Sequence, residues 1–596
     1  MNNMKKKLWI CAAAASLLLL AGCAGADKTA PETTAVPTAT PAPTATPAPI
    51  SPEAAVESGR AELTAFSDYA AVYAALSTEQ GTAPERSETL SAAVSEDLTR
   101  SDAVRADGSY IYALSEKTLT IFQLGDGTGE TVSTTPVGTP WSSADNGAGA
   151  FSGSERIPVS IFLNGSYLAV IQDVYSYDSV DGTMHYAEYV GVDIYDVSDP
   201  YAPSLIASGG QDGVFTDAWM SSGTLCVASA YSVTDPADAS DTVAYIPRVY
   251  SAASSASIQP AELYALSSGS ADCAVLGAYS LNEGVQRNAV AVYGADAKNM
   301  YPVTGGIILT QTRTVSAESR RMSDENGAFT EYAELACTDL FRFDYDYTGI
   351  RLAASGIVNG LLPEKNAVAR FGDGYVCLSE SSGSYLRLYE GKGGPVPASE
   401  CSGSTLYVLD ASLTVMTGLD MLPGGERIVW AGFTPDGILL SGETASCRAD
   451  LSVPGTVTAI PAGGAVRADA LLSWRDGGFA AFRQEASGTL VLSLYDSALH
   501  KTAERTFGSD FSSTLESLQS YFALPEKNLL GFAADDSYCL YAENGGEIEY
   551  CASVFLSDWA WNSRAFVQDG YLYIVDRREA LVYTADTLEN TASFPF

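Results

Sequence analysis

Tyrosines interleaved with acids are the residues of this sequence best suited to holding a ligand. Tyr175, Tyr177, Asp178, Asp181, His185, Tyr186 and Tyr189 fall between two strand-like runs, 167 to 171 and 192 to 197. Tyrosine combines a flat apolar ring with a polar tip, so this segment could stack on a sugar or grip a partner peptide. It also reads as a solvated loop that packs its own tyrosines. Asp173, Asp178 and Asp181 could ligate calcium, although their spacing matches no calcium-loop motif; no other cofactor is expected. A second long insert, 316 to 332, carries Arg320 and Arg321 in an otherwise acidic chain. That pair suits an acidic partner, or simply offsets local repulsion.

Other chemistries fall away on residue counts and spacing. His185 and His500 are the two histidines of the chain, too few for a histidine-rich zinc or iron centre. There is no Gly-x-Ser-x-Gly elbow for a serine nucleophile. Gly125-Asp126-Gly127-Thr128-Gly129 lacks the Lys-Ser/Thr of a phosphate loop and reads as a turn. Acids outnumber bases by 72 to 33, a net charge of −39, which argues against nucleic acid and anionic membrane surfaces. So many carboxylates make a glycosidase-like pair easy to imagine and hard to single out.

The elements that must position these residues are strands. With 46% hydrophobic and 10% aromatic residues, the 596-residue chain can bury a large core. From about Asp107 the hydrophobic period is two, in short runs of β-branched and aromatic residues separated by Gly, Asp, Asn and Ser. Runs 110 to 114 and 119 to 122 read as one hairpin, and 167 to 171 with 192 to 197 as another. Asp-Gly turns recur at Asp107-Gly108, Asp373-Gly374, Asp436-Gly437, Asp476-Gly477 and Asp569-Gly570, each leading into a hydrophobic strand. Spacings of about 40 residues or more between these registers suit four-stranded propeller blades. The expectation is all-β: one β-propeller over 100 to 596, of about eight blades with seven to nine admitted, and monomeric. Residues 53 to 99 form a helical preface in which two short helices fit, with Ser67 and Asp68 placed to cap the second.

The first residues carry an export address. Lys5, Lys6 and Lys7 precede an apolar stretch from Leu8 to Leu20, too short to span a membrane. The succession Leu20-Ala21-Gly22-Cys23 resembles the lipobox of bacterial lipoproteins, which implies a signal peptide over 1 to 22 and lipidation of Cys23. Residues 23 to 52 then form a disordered linker rich in Ala, Thr and Pro. From 24 to 52, at about 3.1 Å per residue, it reaches roughly 90 Å when extended.

Asp102 to Tyr112, Val192 to Pro200, Ser384 to Leu388, and Leu406 to Asp410 with the following Gly424-Gly425-Glu426-Arg427-Ile428 resemble the secreted bacterial β-propeller-domain proteins, distant kin of WD-type propellers, in their lipoprotein form. The resemblance runs from about residue 63 to the C-terminus. It implies an exported, lipid-anchored propeller on the outer face of the cell membrane and carries no catalytic set. The expected function is a binding or scaffolding module for an extracellular protein, peptide or glycan, with no nucleic acid and no membrane contact beyond the lipid. The alternative is an extracellular carbohydrate-active enzyme with two carboxylates in the propeller channel. Ser323 to Thr330 is only loosely similar to a sialidase Asp-box and reads as a loop. In an exported domain disulfides can persist. A three-residue loop centred on Gly545 would set Cys539 opposite Cys551, either as a disulfide or as two reduced thiols.

Overall fold

A computed structural model describes residues 61–76, 87, 90–94, 98–147, 150–180, 183–234, 238–252, 254–266, 272–295, 297–391, 393–434, 437–450, 458–462, 464–534, 536–557 and 562–595. Cys23, the linker and Asp181 lie outside them.

Local chemistry builds the hairpins. Gln568 pairs with Tyr571 across a two-residue turn in which Asp569 and Gly570 both have positive φ, 50° and 81°, the geometry whose twist matches that of the flanking strands. The expected hairpins form: Ile111 faces Phe122 and Leu168 faces Tyr195.

Hairpins join into nine antiparallel four-strand meanders among the described residues. The first is Val104–Ala106, Tyr110–Ser115, Thr118–Leu124 and Gly129–Pro136; the last is Arg564–Gln568, Tyr571–Val575, Glu579–Thr584 and Asn590–Pro595. Each neighbouring pair of blades encloses one apolar core. Phe162, Ile171 and Val192 of the second blade meet Leu225 and Val227 of the third. Phe482 and Leu492 of the seventh meet Phe532 and Tyr541 of the eighth. The ring closes where Tyr573, Val575 and Val582 of the ninth pack on Ile111, Ala113 and Phe122 of the first. This is a β-propeller, with one blade more than the eight expected and inside the seven-to-nine range. The fourth blade (Met300–Val303 through Gly349–Asn359) and the fifth (Val368–Phe371 through Val415–Leu419) share one sheet, because Phe329 to Leu335 pair with Tyr389 to Gly383.

Three expectations need correction. The two long inserts are not loops: Tyr167–Val180 and Thr183–Asp196 form one extended hairpin, and Gly306–Asp324 with Gly327–Asp346 form another that absorbs Ser323 to Thr330. Alternating side chains simply continue the strand pattern beyond the blade body. The preface is only partly helical. Among its described residues one helix, α1, Tyr69–Leu76, starts where Asp68 Oδ1 accepts the Ala71 N–H at 2.8 Å, and residues 53 to 60, where the first helix is expected, lie outside them. Further on, Ser91–Val94 pairs in parallel with Trp430 to Phe433 of the sixth blade, and Thr99–Arg100 pairs with Met220 and Trp219 of the third. This axial segment adds strands to the first strands of two blades, whose edges would otherwise lie unpaired.

The third correction is Cys539. Its partner in register is Ser553, and both Cys539 and Cys551 are free thiols. The turn is two residues long, Gly545 and Gly546 with φ of 61° and 95°, and a bulge at Leu540/Tyr541 leaves Cys551 without a partner across the ladder. Cys539 is buried and Cys551 exposed. Burial, with the Glu549 carboxylate beside it, pushes the Cys551 thiol up. Alkylation of the native chain therefore marks Cys551, at a rate that rises as pH passes the ordinary thiol range, and spares Cys539. Peptide mapping after iodoacetamide checks this; equal labelling of the two would refute the register.

Candidate functional site

The hairpin arm of the second blade assembles an aromatic surface that no single stretch of sequence contains. Antiparallel register sets Tyr177 opposite Tyr186 and Tyr175 opposite Glu188, so these four side chains share one face. On the neighbouring strand Gly153 lies opposite Tyr177, and a Cβ there would overlap the tyrosine ring. The missing side chain lets Tyr177 lie flat, and Trp141 stacks on it with centroids 4.9 Å apart and planes 21° apart. Trp141 is 49% exposed and Tyr186 63%. Rings held this way on paired strands lose little freedom on binding.

Charge on this face is acidic. Burial raises the pKa of Tyr175, and the carboxylates of Asp173 and Glu188, the latter also hydrogen-bonded to it, raise it further. Burial and Glu188 likewise raise that of Tyr186. Beside the arm is a cavity of about 510 Å³ lined by Tyr186, Glu188, Asp212, Tyr231, Val243 and Arg248. Arg248 Nε reaches Asp212 Oδ2 at 3.2 Å, and the Tyr250 hydroxyl donates to Asp212 Oδ1, so the back wall is fixed.

The candidates named from sequence divide. Tyr175, Tyr177 and Tyr186 come together, whereas Tyr189 lies on the other face and stacks on Tyr250 at 4.1 Å and 16°, bracing the sheet. Asp178 and His185 are partners in register, with side chains outside the described residues. Asp173 spends Oδ1 on the Phe215 N–H at 3.3 Å, tying the arm to the third blade, and desolvation holds its carboxyl above the usual range. Sequence reasoning missed Trp141, Glu188 and the cavity. Glu188 was within reach, two positions from Tyr186 in a strand of period two; Trp141 sits 36 positions from Tyr177, with no local signal linking them.

The centre of the ring holds different chemistry. Arg564 clasps Asp102 through Nε–Oδ2 at 2.8 Å and Nη2–Oδ1 at 2.7 Å. Asp217 Oδ1 accepts from Ser101 Oγ at 3.0 Å and from the Ala218 N–H at 2.8 Å, and burial raises its carboxyl pKa. Both carboxylates anchor the axial segment.

Ring closure through nine blades defines a β-propeller, and aromatic side chains stand on a hairpin that projects from its second blade. The model of the Beta propeller domain family matches residues 95–438, more than half of the chain, and the protein belongs to that family. No curated protein matches it. Among solved structures it is similar to a chain of the crystal structure of the mitotic checkpoint complex, with 10% identity, 51% of this chain and 83% of that one covered, and a TM-score of 0.24. It is also similar to dihydro-heme d1 dehydrogenase NirN in complex with DHE, with 12% identity, 93% and 81% covered, and a TM-score of 0.30. At these scores no ligand or chemistry carries over.

Proposed function

We propose that the chain is a binding propeller, held on the outer face of the cell membrane by a lipid on Cys23, that takes an extracellular protein, peptide or glycan on the arm of its second blade. The observation that carries this is the row of exposed Trp141, half-buried Tyr177 and exposed Tyr186 beside the cavity walled by Glu188 and Tyr231. Aromatic anchors supply much of the energy of such recognition. The central carboxylates support binding over glycoside chemistry, since Asp102 is clasped by Arg564 and Asp217 is hydrogen-bonded to the segment it anchors.

Capture from cell-envelope glycans and surface proteins tests the reading. Tyr186→Ala combined with Trp141→Ala is expected to weaken the captured interaction at least about tenfold. Stability should hold, because Trp141 is 49% and Tyr186 63% exposed. Capture that survives the double change places the binding face elsewhere. Metabolic labelling with a clickable fatty acid, lost in Cys23→Ser, tests the anchor separately.

A further inference from the structure

We propose, on the reading that the second-blade arm is the binding face, that its open strand edge takes an extended peptide as an added strand and seats a lysine or arginine side chain of that peptide in the cavity beside it. At about 510 Å³ the cavity lies within the range of about 300–1,000 Å³ usual for ligand pockets.

The edge is left open by a change of direction in the neighbouring strand. Thr183 to Asp196 pair with Val180 to Tyr167 along their whole length, without a bulge. On the other side Ser204–Asp212 reaches only as far as Tyr189, and a final bond runs from the Gly213 N–H to the Glu188 carbonyl at 3.2 Å. Gly213, at φ 104°, then turns the chain into the third blade, where a Cβ would overlap the Ala230 carbonyl. Main-chain groups alternate in direction along a strand, so the N–H and C=O of Tyr186 and Met184 point the same way as those of Glu188. Among the described residues no strand pairs with them there. Thr183 to Glu188 carry no proline, no lysine and no bulge, the usual means of blocking an added strand. Peptides that add to a sheet draw affinity from such main-chain groups and specificity from pockets for alternate side chains.

The pocket beside that edge selects a cation on an apolar stem. Its rim is apolar, formed by the exposed Tyr186, Val214 and Val243. Among its described lining residues three carboxylates, Glu188, Asp212 and Asp241, face one guanidinium, Arg248. Arg248 is committed to Asp212, which also accepts from the Arg248 main-chain N–H at 2.8 Å and from the Tyr250 hydroxyl. That pair leaves Glu188 and Asp241 in excess. Neighbouring groups register the negative field: after burial, the charge of Glu188 raises the Asp173 carboxyl, and after burial, Asp212, Cys273 and Asp241 raise the Tyr231 hydroxyl against the opposing Arg248. Tyr186 and Tyr231 line the same space, and tyrosine rings attract cations. A lysine or arginine side chain matches this set, its methylene stem along the apolar rim and its charge at the carboxylates. A neutral sugar would leave the excess charge unmet, and an acidic peptide would be repelled.

Fluorescence anisotropy of the full chain with short, capped Thr/Ser peptides carrying lysine, arginine, norleucine or glutamate at the centre, at about 0.15 M salt, tests the site. The tighter of the two cationic peptides is expected to bind at least about tenfold better than glutamate. It should exceed norleucine, which keeps the stem and lacks the charge, about fivefold. N-methylation of alternate main-chain amides keeps the charge but blocks strand addition, and should weaken that peptide about tenfold. Glu188→Gln should bring the cationic peptide to within about twofold of norleucine. Glu443→Gln, at an exposed position of the sixth blade, should leave the preference unchanged, which separates the pocket from the general acidity of the chain. Asp241→Asn should cut the preference about threefold and serves where Glu188→Gln does not fold. If norleucine or glutamate binds as tightly as the cations, if N-methylation has no effect, or if Glu188→Gln and Asp241→Asn both keep the full preference, the assignment is wrong. Envelope capture that Trp141→Ala with Tyr186→Ala still weakens would then leave the arm a binding face for a different occupant.

Discussion

Replacing Arg564 with alanine is expected to destabilise the chain by about 3–5 kcal/mol, the cost of removing one partner from a buried ion pair. Arg564 and Asp102 are each 9% exposed at the side chain and share two hydrogen bonds in a fork. Arg564 Nη2 also donates to Gln519 Oε1 at 2.9 Å. The main chain of Asp102 is pinned in turn: its N–H donates to Ser160 Oγ at 2.9 Å, and its carbonyl accepts from the Ile161 N–H at 2.7 Å. One pair thus ties the ninth blade to the lead-in of the first and to the second, at the place where the ring closes. Alanine leaves a desolvated carboxylate with its fork gone. Lysine keeps the charge but not the fork and is expected to fall between. Denaturant unfolding, with limited proteolysis of the last blade, measures the effect. A loss below about 1 kcal/mol would show that the apolar core between the ninth and first blades closes the ring unaided.

Trp430→Ala is expected to cost a similar 3–5 kcal/mol, by a different route. Trp430 is 1% exposed and packs with Ala93, Leu439, Leu471 and Phe479, where the axial segment and the sixth and seventh blades meet. Gly432 makes room for its ring, since a Cβ there would overlap the indole. Truncation opens a cavity that three separate elements bound, so collapse onto it is resisted. It also strips the Ala468 carbonyl of the Nε1 hydrogen bond at 2.7 Å. Trp430→Phe restores most of the volume but not that bond and should recover roughly half of the loss. Tm and the denaturant midpoint report both variants; a phenylalanine variant no better than alanine would show that the hydrogen bond stabilises this junction more than the packing does.

Much of this architecture is legible locally. Strand period, Asp-Gly turns and the roughly 40-residue spacing of registers depend on which face of a strand is buried and on which residues accept positive φ, and both are written within a few positions of one another. Those features determine an all-β chain of repeated four-strand units. Partners across strands and blades are not written that way. The ninth blade escaped counting because the arms of the fourth and fifth pair with each other and blur the boundary. Tyr175 to Tyr189 read as a loop because exposed strands carry polar residues as loops do, and only a pairing partner tells them apart. Cys539 meets Ser553 and not Cys551 because the two-residue turn shifts the register by one position and the bulged residue shifts it by another. Trp141 reaches Tyr177, and Arg100 reaches Trp219, through folds of the chain that bring distant residues side by side. Alternation tells a side chain which way to face; the closing of the ring tells it what it will find there.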